Sequence, residues 1–468
     1  MKKLYFLVLI GFITLSSVQA KISLPAIFAD HMVLQQKSDA PIWGWGKPLE
    51  DIIVITGWDN KRYETKADNH ANWNIKVTTP QAGGPYSITI LGSNTIILHD
   101  ILIGEVWVCS GQSNMEWSPK AGIDNGTSEI LKATNSSIRF FQISHQSADT
   151  KQLDCKGSWS VCTPETMIDF SAIGYFFGKS LQEKLDIPIG LINTSWGGTP
   201  AEAWTNPEII QENEALRVGA EKLQEVPWCP VKPGSAYNAM LAPIIPFEIA
   251  GAIWYQGEGN TANYESYETL FQYMISDWRQ EWGKEFPFYY VQIAPFSYGR
   301  TFEGALIREA QLKSLATPNT GMVVVSDIGN IRDIHPKNKI DVGKRLANWA
   351  LNKTYGLESI PYSGPIYNHM EIEKNKIRIF FDYADQGLMA KGENLTPFQI
   401  AGEDKNFVDA IATIDGNTII VYAKEVQSPM AVRFAFSNTT EPNLFNKEGL
   451  PASSFRTDNW EIDVAPVK

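Results

Sequence analysis

Between about residue 101 and residue 355 the chain repeats one rhythm: a short apolar run, a break at small or polar residues, then a stretch of helical period. Residues 106–109, 138–143, 189–192, 251–255, 288–293 and 322–325 are too short for ordinary helices and read as buried strands. Residues 171–185 read as a helix with Ser171 as its N-cap, 207–226 as a polar helix, and 305–315 as a third. Tyr267, Phe271, Met274, Trp278 and Trp282 recur at helical spacing, a stripe for core packing. His335-Pro336 opens a last helix, with Val342, Leu346 and Trp349 along one face. Strands that alternate with helices require crossovers, and crossovers make a parallel sheet covered on both faces. The fold class is therefore α/β.

The flanks read differently. In residues 21–100, Trp73, Ile75 and Val77 alternate, as do Tyr86, Ile88 and Ile90, with turn signals at Gly83-Gly84-Pro85 and Gly92-Ser93-Asn94. After about residue 356, short strands return at 377–381, 418–422 and 430–436, with a turn at Asp415-Gly416. Both flanks are expected to be β-sandwich-like modules around a catalytic domain at 101–355. Residues 1–20 carry Lys2 and Lys3, an apolar stretch and then Val18-Gln19-Ala20, the form of a secretory signal peptide. The mature protein is thus expected in the periplasm or outside the cell, without a membrane anchor.

Charge narrows the partners. The full chain carries a net charge of −12, and loss of Lys2 and Lys3 takes it to −14. Such a chain is poorly suited to nucleic acid or an anionic membrane. Of the four cysteines, Cys155 and Cys162 lie in an exported, irregular segment and are candidates for a disulfide; Cys109 reads as a small buried group, and Cys229 as free or bridged. No spacing resembles a zinc site, and oligomeric state is not legible.

The candidate chemistry sits just past the strands. The first run ends at Gly111-Gln112-Ser113, the second group is Trp196-Gly197-Gly198, the third Gln256-Gly257-Glu258-Gly259-Asn260, and the last His335. In a parallel sheet these ends face one way, so the groups can converge. A serine hydroxyl needs a base poised near neutral pH, and an imidazole supplies one. The oxyanion formed on attack needs donors already in place; the Ser113 N–H, the Gly198 N–H and the Gln256 side-chain amide are the candidates. Trp117, Trp196 and Trp204 read equally as core packing or as sugar-stacking rings.

No Gly-x-Ser-x-Gly elbow occurs. The set Gly111-Gln112-Ser113-Asn114-Met115, Trp196-Gly197-Gly198-Thr199, Trp254-Tyr255-Gln256-Gly257-Glu258 and Asp333-Ile334-His335-Pro336 instead resembles the SGNH (GDSL-like) hydrolases, and more closely the sialate O-acetylesterase family. Leu24-Pro25, Met32-Val33-Leu34-Gln35 and Asn446-Lys447-Glu448-Gly449-Leu450-Pro451 fit it too. The resemblance implies an SGNH-type, flavodoxin-like central domain and a serine esterase that removes O-acetyl groups from carbohydrate without a cofactor. O-acetylated sialic acid is the favoured substrate, with acetylxylan or another plant glycan as the alternative.

The resemblance also implies Ser113 as nucleophile, His335 as base, and Gly198 and Gln256 in the oxyanion hole. Gln112, Trp196, Glu258 and Asn260 are expected at the substrate. The wider pattern has an aspartate three positions before the histidine, where this chain has Arg332. Asp333, Asp327 or no aspartate then orients His335. A glycoside hydrolase using Glu258 and Asp327, and a non-catalytic sugar-binding protein, are the competing readings.

Overall fold

The computed structural model describes residues 21–467; the expected signal peptide lies outside the described residues. The central sheet comprises β1 (Thr95–Gly111), β2 (Asn135–Ile143), β3 (Gly157–Cys162), β4 (Ile189–Ser195), β5 (Gly251–Tyr255), β6 (Phe288–Val291) and β7 (Thr320–Val323). Their order is β7-β6-β5-β1-β4-β2-β3. Every pairing is parallel except β2 with β3, which is antiparallel.

Four helices cover the sheet: α1 (Ala172–Leu185), α2 (Tyr264–Trp282), α3 (Glu303–Lys313) and α4 (Lys339–Trp349). Trp107 of β1 meets Phe177 of α1 with ring centroids 5.0 Å apart, while Trp254 of β5 meets Trp278 of α2 at 5.8 Å. Trp107 is paired in register with Gly251, three residues from Trp254, so the two indoles project from opposite faces. Cover on both faces explains why residues 101–111 are buried without alternation.

Two helix boundaries depart from expectation. The polar helix breaks into Pro207–Glu212 and Glu214–Glu221, because Asn213 leaves helical geometry and its side chain caps the second piece. The last helix begins at Lys339 rather than Pro336, capped by Asn338, whose Oδ1 accepts the Asp341 N–H at 3.0 Å. The intervening His335 segment is held as a loop.

In the N-terminal module, Asp39–Trp45 pairs antiparallel with Asn72–Thr78, and Gly83–Leu91 pairs with the first part of β1. β1 continues past residue 101 into the central sheet, and one continuous core of buried residues runs from Ile22 through the central domain. The C-terminal strands are antiparallel around a separate core that includes Ile379, Ile419 and Phe434. They dock on α3, where Arg456 grips Glu309 through two bonds of 2.8 and 3.0 Å. Cys109, Cys155, Cys162 and Cys229 are all free thiols, so the candidate Cys155–Cys162 pairing is not made. Burial pushes the Cys155 and Cys162 thiols up to about 12.

Candidate active site

The register of the sheet assembles the site. Gly111 is level with Ser195 on one side and Tyr255 on the other. The residues just beyond these three strands therefore emerge side by side. Gly111 has φ +134°, and a Cβ there would stand 2.2 Å from the Tyr255 carbonyl oxygen. Only glycine allows the backbone to turn so close to β5. Ser113 follows at the first position of the short helix Ser113–Glu116.

Ser113 Oγ lies 2.8 Å from His335 Nε2, although 222 residues separate them in sequence. The Trp117 ring stacks on the imidazole at 4.3 Å and 20°. Its indole N–H donates to the Gly122 carbonyl, which fixes the ring. Trp117 is thus a support for His335 rather than a surface for sugar. Trp204 is fully buried in the core.

The expected orienting carboxylate is placed differently. Asp333 Oδ1 accepts the backbone N–H of His335 at 2.9 Å and stands 4.0 Å from Nδ1, beyond hydrogen-bond range. Asp327 is held by Arg345 through two bonds of 2.7 Å and does not serve the imidazole. That fork also occupies one half of the carboxylate pair a glycosidase would need. Arg332 is exposed.

Among the described residues, the N–H groups of Ser113 and Gly198 have no hydrogen-bond partner. Gly197 packs directly on the nucleophile: a Cβ on it would lie 3.2 Å from Ser113 Cβ. Its N–H donates to Glu116 Oε2 at 2.5 Å, and Glu116 Oε1 pairs with His145 Nε2 at 2.9 Å. Trp196 stacks on His145 at 4.4 Å. Glu116 therefore locks the glycine loop against Ser113 and leaves the next amide, that of Gly198, free to donate. Gly198 has φ +84°, and its missing side chain leaves room for Trp228 and Cys229. Trp228 is 64 % exposed beside it, a ring at the rim that sequence reasoning did not single out.

Three expected site residues turn inward. Gln256 is fully buried; its Nε2 donates to Asn260 Oδ1 at 2.7 Å and to the Thr199 carbonyl at 3.3 Å, while its Oε1 accepts the Tyr267 hydroxyl. No part of that amide is left for an oxyanion. Asn260, also fully buried, accepts the Ala201 N–H and donates to Glu202 Oε2. Gln112 accepts from the N–H groups of Gly257 and Gly259 at 3.3 and 3.0 Å, which pins the loop after β5. Gln256 and Asn260 have both ends of their amides engaged and shape the loops behind the serine, whereas Gln112 is tied there through Oε1 only and its Nε2 has no hydrogen-bond partner among the described residues. The burial of Gln256 and Asn260 forces their pairing, since a buried amide left without partners is costly.

Asn114 and Lys339 carry the tie between nucleophile and base. Asn114 Nδ2 donates to the Ile334 carbonyl at 2.9 Å and to Glu258 Oε1 at 2.7 Å, and its Oδ1 accepts from Lys339 Nζ at 2.6 Å. The residue after Ser113 thus clamps the residue before His335. Glu258 sits under the site as a partner of Asn114, with Oε2 shut off from solvent and unpartnered. Burial raises the Glu258 carboxyl to about 6 and lowers the Lys339 ammonium to about 7. Burial also lowers His335 below the ordinary imidazole value, and the Lys339 charge adds to this against the opposing pull of Asp333.

The match to known proteins spans most of the chain. Residues 103–352 match the family model described as carbohydrate esterase, sialic acid-specific acetylesterase. The chain is 30% identical over 406 residues to the sialate O-acetylesterase of Homo sapiens, covering 78% of this chain and 77% of that protein. It is 29% identical over 440 residues to the Rattus norvegicus sialate O-acetylesterase, covering 80% of each. The crystal structure of a carbohydrate acetylesterase from Xanthomonas citri superposes with a TM-score of 0.86 at 38% identity, covering 94% of this chain and 100% of that one. With its serine and histidine joined at the carboxyl edge of a parallel sheet, this chain belongs to the sialic acid-specific acetylesterase family of carbohydrate esterases and is an ester hydrolase acting on acetylated carbohydrate.

Proposed function

We propose that Ser113 is the nucleophile and His335 the general base of a two-step deacetylation. With Nε2 accepting the serine proton, the imidazole carries its own proton on Nδ1. Ser113 Oγ attacks the acetyl carbonyl, its proton passes to His335 Nε2, and the tetrahedral oxyanion takes the free N–H groups of Ser113 and Gly198. The C–O bond to the sugar breaks, and the sugar oxygen leaves with the proton from His335. Water then attacks the acetyl-enzyme, giving its proton to His335, and acetate departs as Ser113 is restored. The observation that carries this reading is the 2.8 Å contact between Ser113 Oγ and His335 Nε2 beside an unengaged Gly198 amide.

The favoured substrate is O-acetylated sialic acid, supported by relatives that are sialate O-acetylesterases. An acetylated plant glycan is the second reading; the Xanthomonas citri protein, at 38% identity, is named only as a carbohydrate acetylesterase, a class wider than sialate esters. Export through residues 1–20 belongs to the proposal, resting on the Lys2-Lys3, apolar and Val18-Gln19-Ala20 pattern. The test is acetate release from O-acetyl sialic acid beside acetylxylan, with Ser113→Ala as control. Ser113→Ala should release no acetate above background, and retained turnover would overturn the assignment. Preference for acetylxylan would overturn the sialate reading and leave the serine mechanism standing.

A further inference from the structure

A second opening lies away from Ser113. It is a cavity of about 610 Å³ between the N-terminal ribbon and the central domain, within the range of small-molecule sites. One wall is the strand pair Asp39–Trp45 and Asn72–Thr78, in which Trp43 stands opposite Asn74 and Trp45 opposite Asn72. Cross-strand partners share a face, so two half-buried indoles alternate with two exposed carboxamides along that wall. Neither indole N–H has a hydrogen-bond partner among the described residues, and neither is sealed from solvent. The other wall is formed by segments around Pro246 and Trp282. These lead into the amino ends of β5 and β6. The cavity therefore opens at the edge of the sheet opposite the serine, with the five residues of β5, roughly 17 Å at ~3.3 Å per residue, between them.

We propose that this cavity binds a neutral oligosaccharide stretch of the substrate polymer and holds it on the enzyme while Ser113 works on acetyl groups elsewhere along it. The argument rests on the family assignment, which makes carbohydrate the substrate class, and on the chemistry of the wall. Flat indole faces cover the apolar face of a pyranose ring, and neighbouring amides and indole N–H groups pair with its hydroxyls. Trp43 and Trp45 are two residues apart on one strand, a spacing that serves two consecutive rings. The charges at the cavity cancel: Asp39 and Glu248 face Lys76 and Lys284, and Lys284 is already bound to Glu248 at 2.5 Å. That balance disfavours an anionic ligand and suits an uncharged one.

The test uses the mature full-length chain carrying Ser113→Ala, run by affinity electrophoresis through gels containing xylan, glucomannan or desialylated mucin glycoprotein. Retention on at least one polymer is expected, weakened tenfold or more by adding Trp43→Ala and Trp45→Ala. With Ser113 intact, the same double variant should hydrolyse 4-nitrophenyl acetate within twofold of the parent, which separates this cavity from the catalytic site. Should that variant fail to fold, Asn72→Ala with Asn74→Ala carries the test, with a several-fold weakening expected. Retention on none of the polymers, or retention unaffected by the substitutions, overturns the proposal. Loss of all esterase activity in the parent would sink the catalytic reading and leave the retention result to decide this one.

Discussion

Replacing Asp333 with asparagine measures how much the carboxylate gives to the imidazole. In a triad whose aspartate bonds the ring and fixes its tautomer, the same change costs about 10⁴ in turnover. Here Asp333 Oδ1 is 4.0 Å from His335 Nδ1, and its side chain is 42 % exposed. Two unit charges at that distance interact by about 1 kcal/mol in water and about 4 kcal/mol at an effective dielectric of 20. Exposure moves the pair toward the watery limit, so about 1–2 kcal/mol is lost from the imidazolium formed on attack. At about 1.36 kcal/mol per decade, kcat/KM should fall roughly 5- to 30-fold. Asparagine keeps an oxygen to accept the His335 backbone N–H, so Asp333→Asn isolates the charge, whereas Asp333→Ala also frees the loop. The assay is steady-state acetate release at fixed pH, with circular dichroism as the fold control. A loss of a thousandfold or more in folded Asp333→Asn enzyme would refute the reasoning, because it requires a direct carboxylate–imidazole bond in the working enzyme.

Four further outcomes follow from the structure. His335 acts as a base only when neutral, and burial together with Lys339 lowers its pKa; the acid limb of kcat/KM should lie below the ordinary imidazole value and move to higher pH in Lys339→Met, and an unmoved limb would exclude this electrostatic role. Folding depresses Lys339 from 10.5 to about 7, so the unfolded chain binds more protons between those values; stability relative to Lys339→Met should therefore rise with pH across that window, as read by thermal melts at pH 7 and 9. Gln256→Leu should strand the buried Thr199 carbonyl and leave Asn260 Oδ1 with the Ala201 N–H alone and the Tyr267 hydroxyl with the residue-256 carbonyl alone, costing about 1–3 kcal/mol in stability, with turnover per folded molecule within about tenfold; a drop of 10²–10³ in turnover without destabilisation would restore Gln256 to the oxyanion hole. Because all four thiols are free, a thiol reductant should leave the melting temperature unchanged, and a fall of several degrees would reveal a disulfide.

Much of the architecture was legible because it depends on periodicity. The strands at 251–255 and 418–422 begin and end where their apolar runs do, and the stripe from Tyr267 to Trp282 lies on one buried helix face. Local chemistry also placed the turn at Gly111, the Ser171 cap and the hairpin at Asp415-Gly416. The helix starting at Lys339 was misplaced because Pro336 is equally suited to the first turn of a helix and to an extended loop. The Cys155–Cys162 pairing was only a candidate, because spacing and compartment do not set the distance between two thiols.

The chain itself determined that a serine and a histidine would arrive at one edge of a parallel sheet, since every strand in such a sheet delivers its successor residues to the same side. It did not determine which polar neighbours would face that edge. A glutamine reads the same in sequence whether its amide points at substrate, like the expected Gln256, or into a sealed network with Tyr267 and Asn260. The same ambiguity hid Glu116, Asn114 and Lys339, whose partners lie 81, 220 and 225 residues away. Hydrogen-bond partners at that separation are chosen by packing: once the backbones are placed, each buried polar atom takes whatever complementary group lies within about 3 Å, and that choice exists only in the assembled fold.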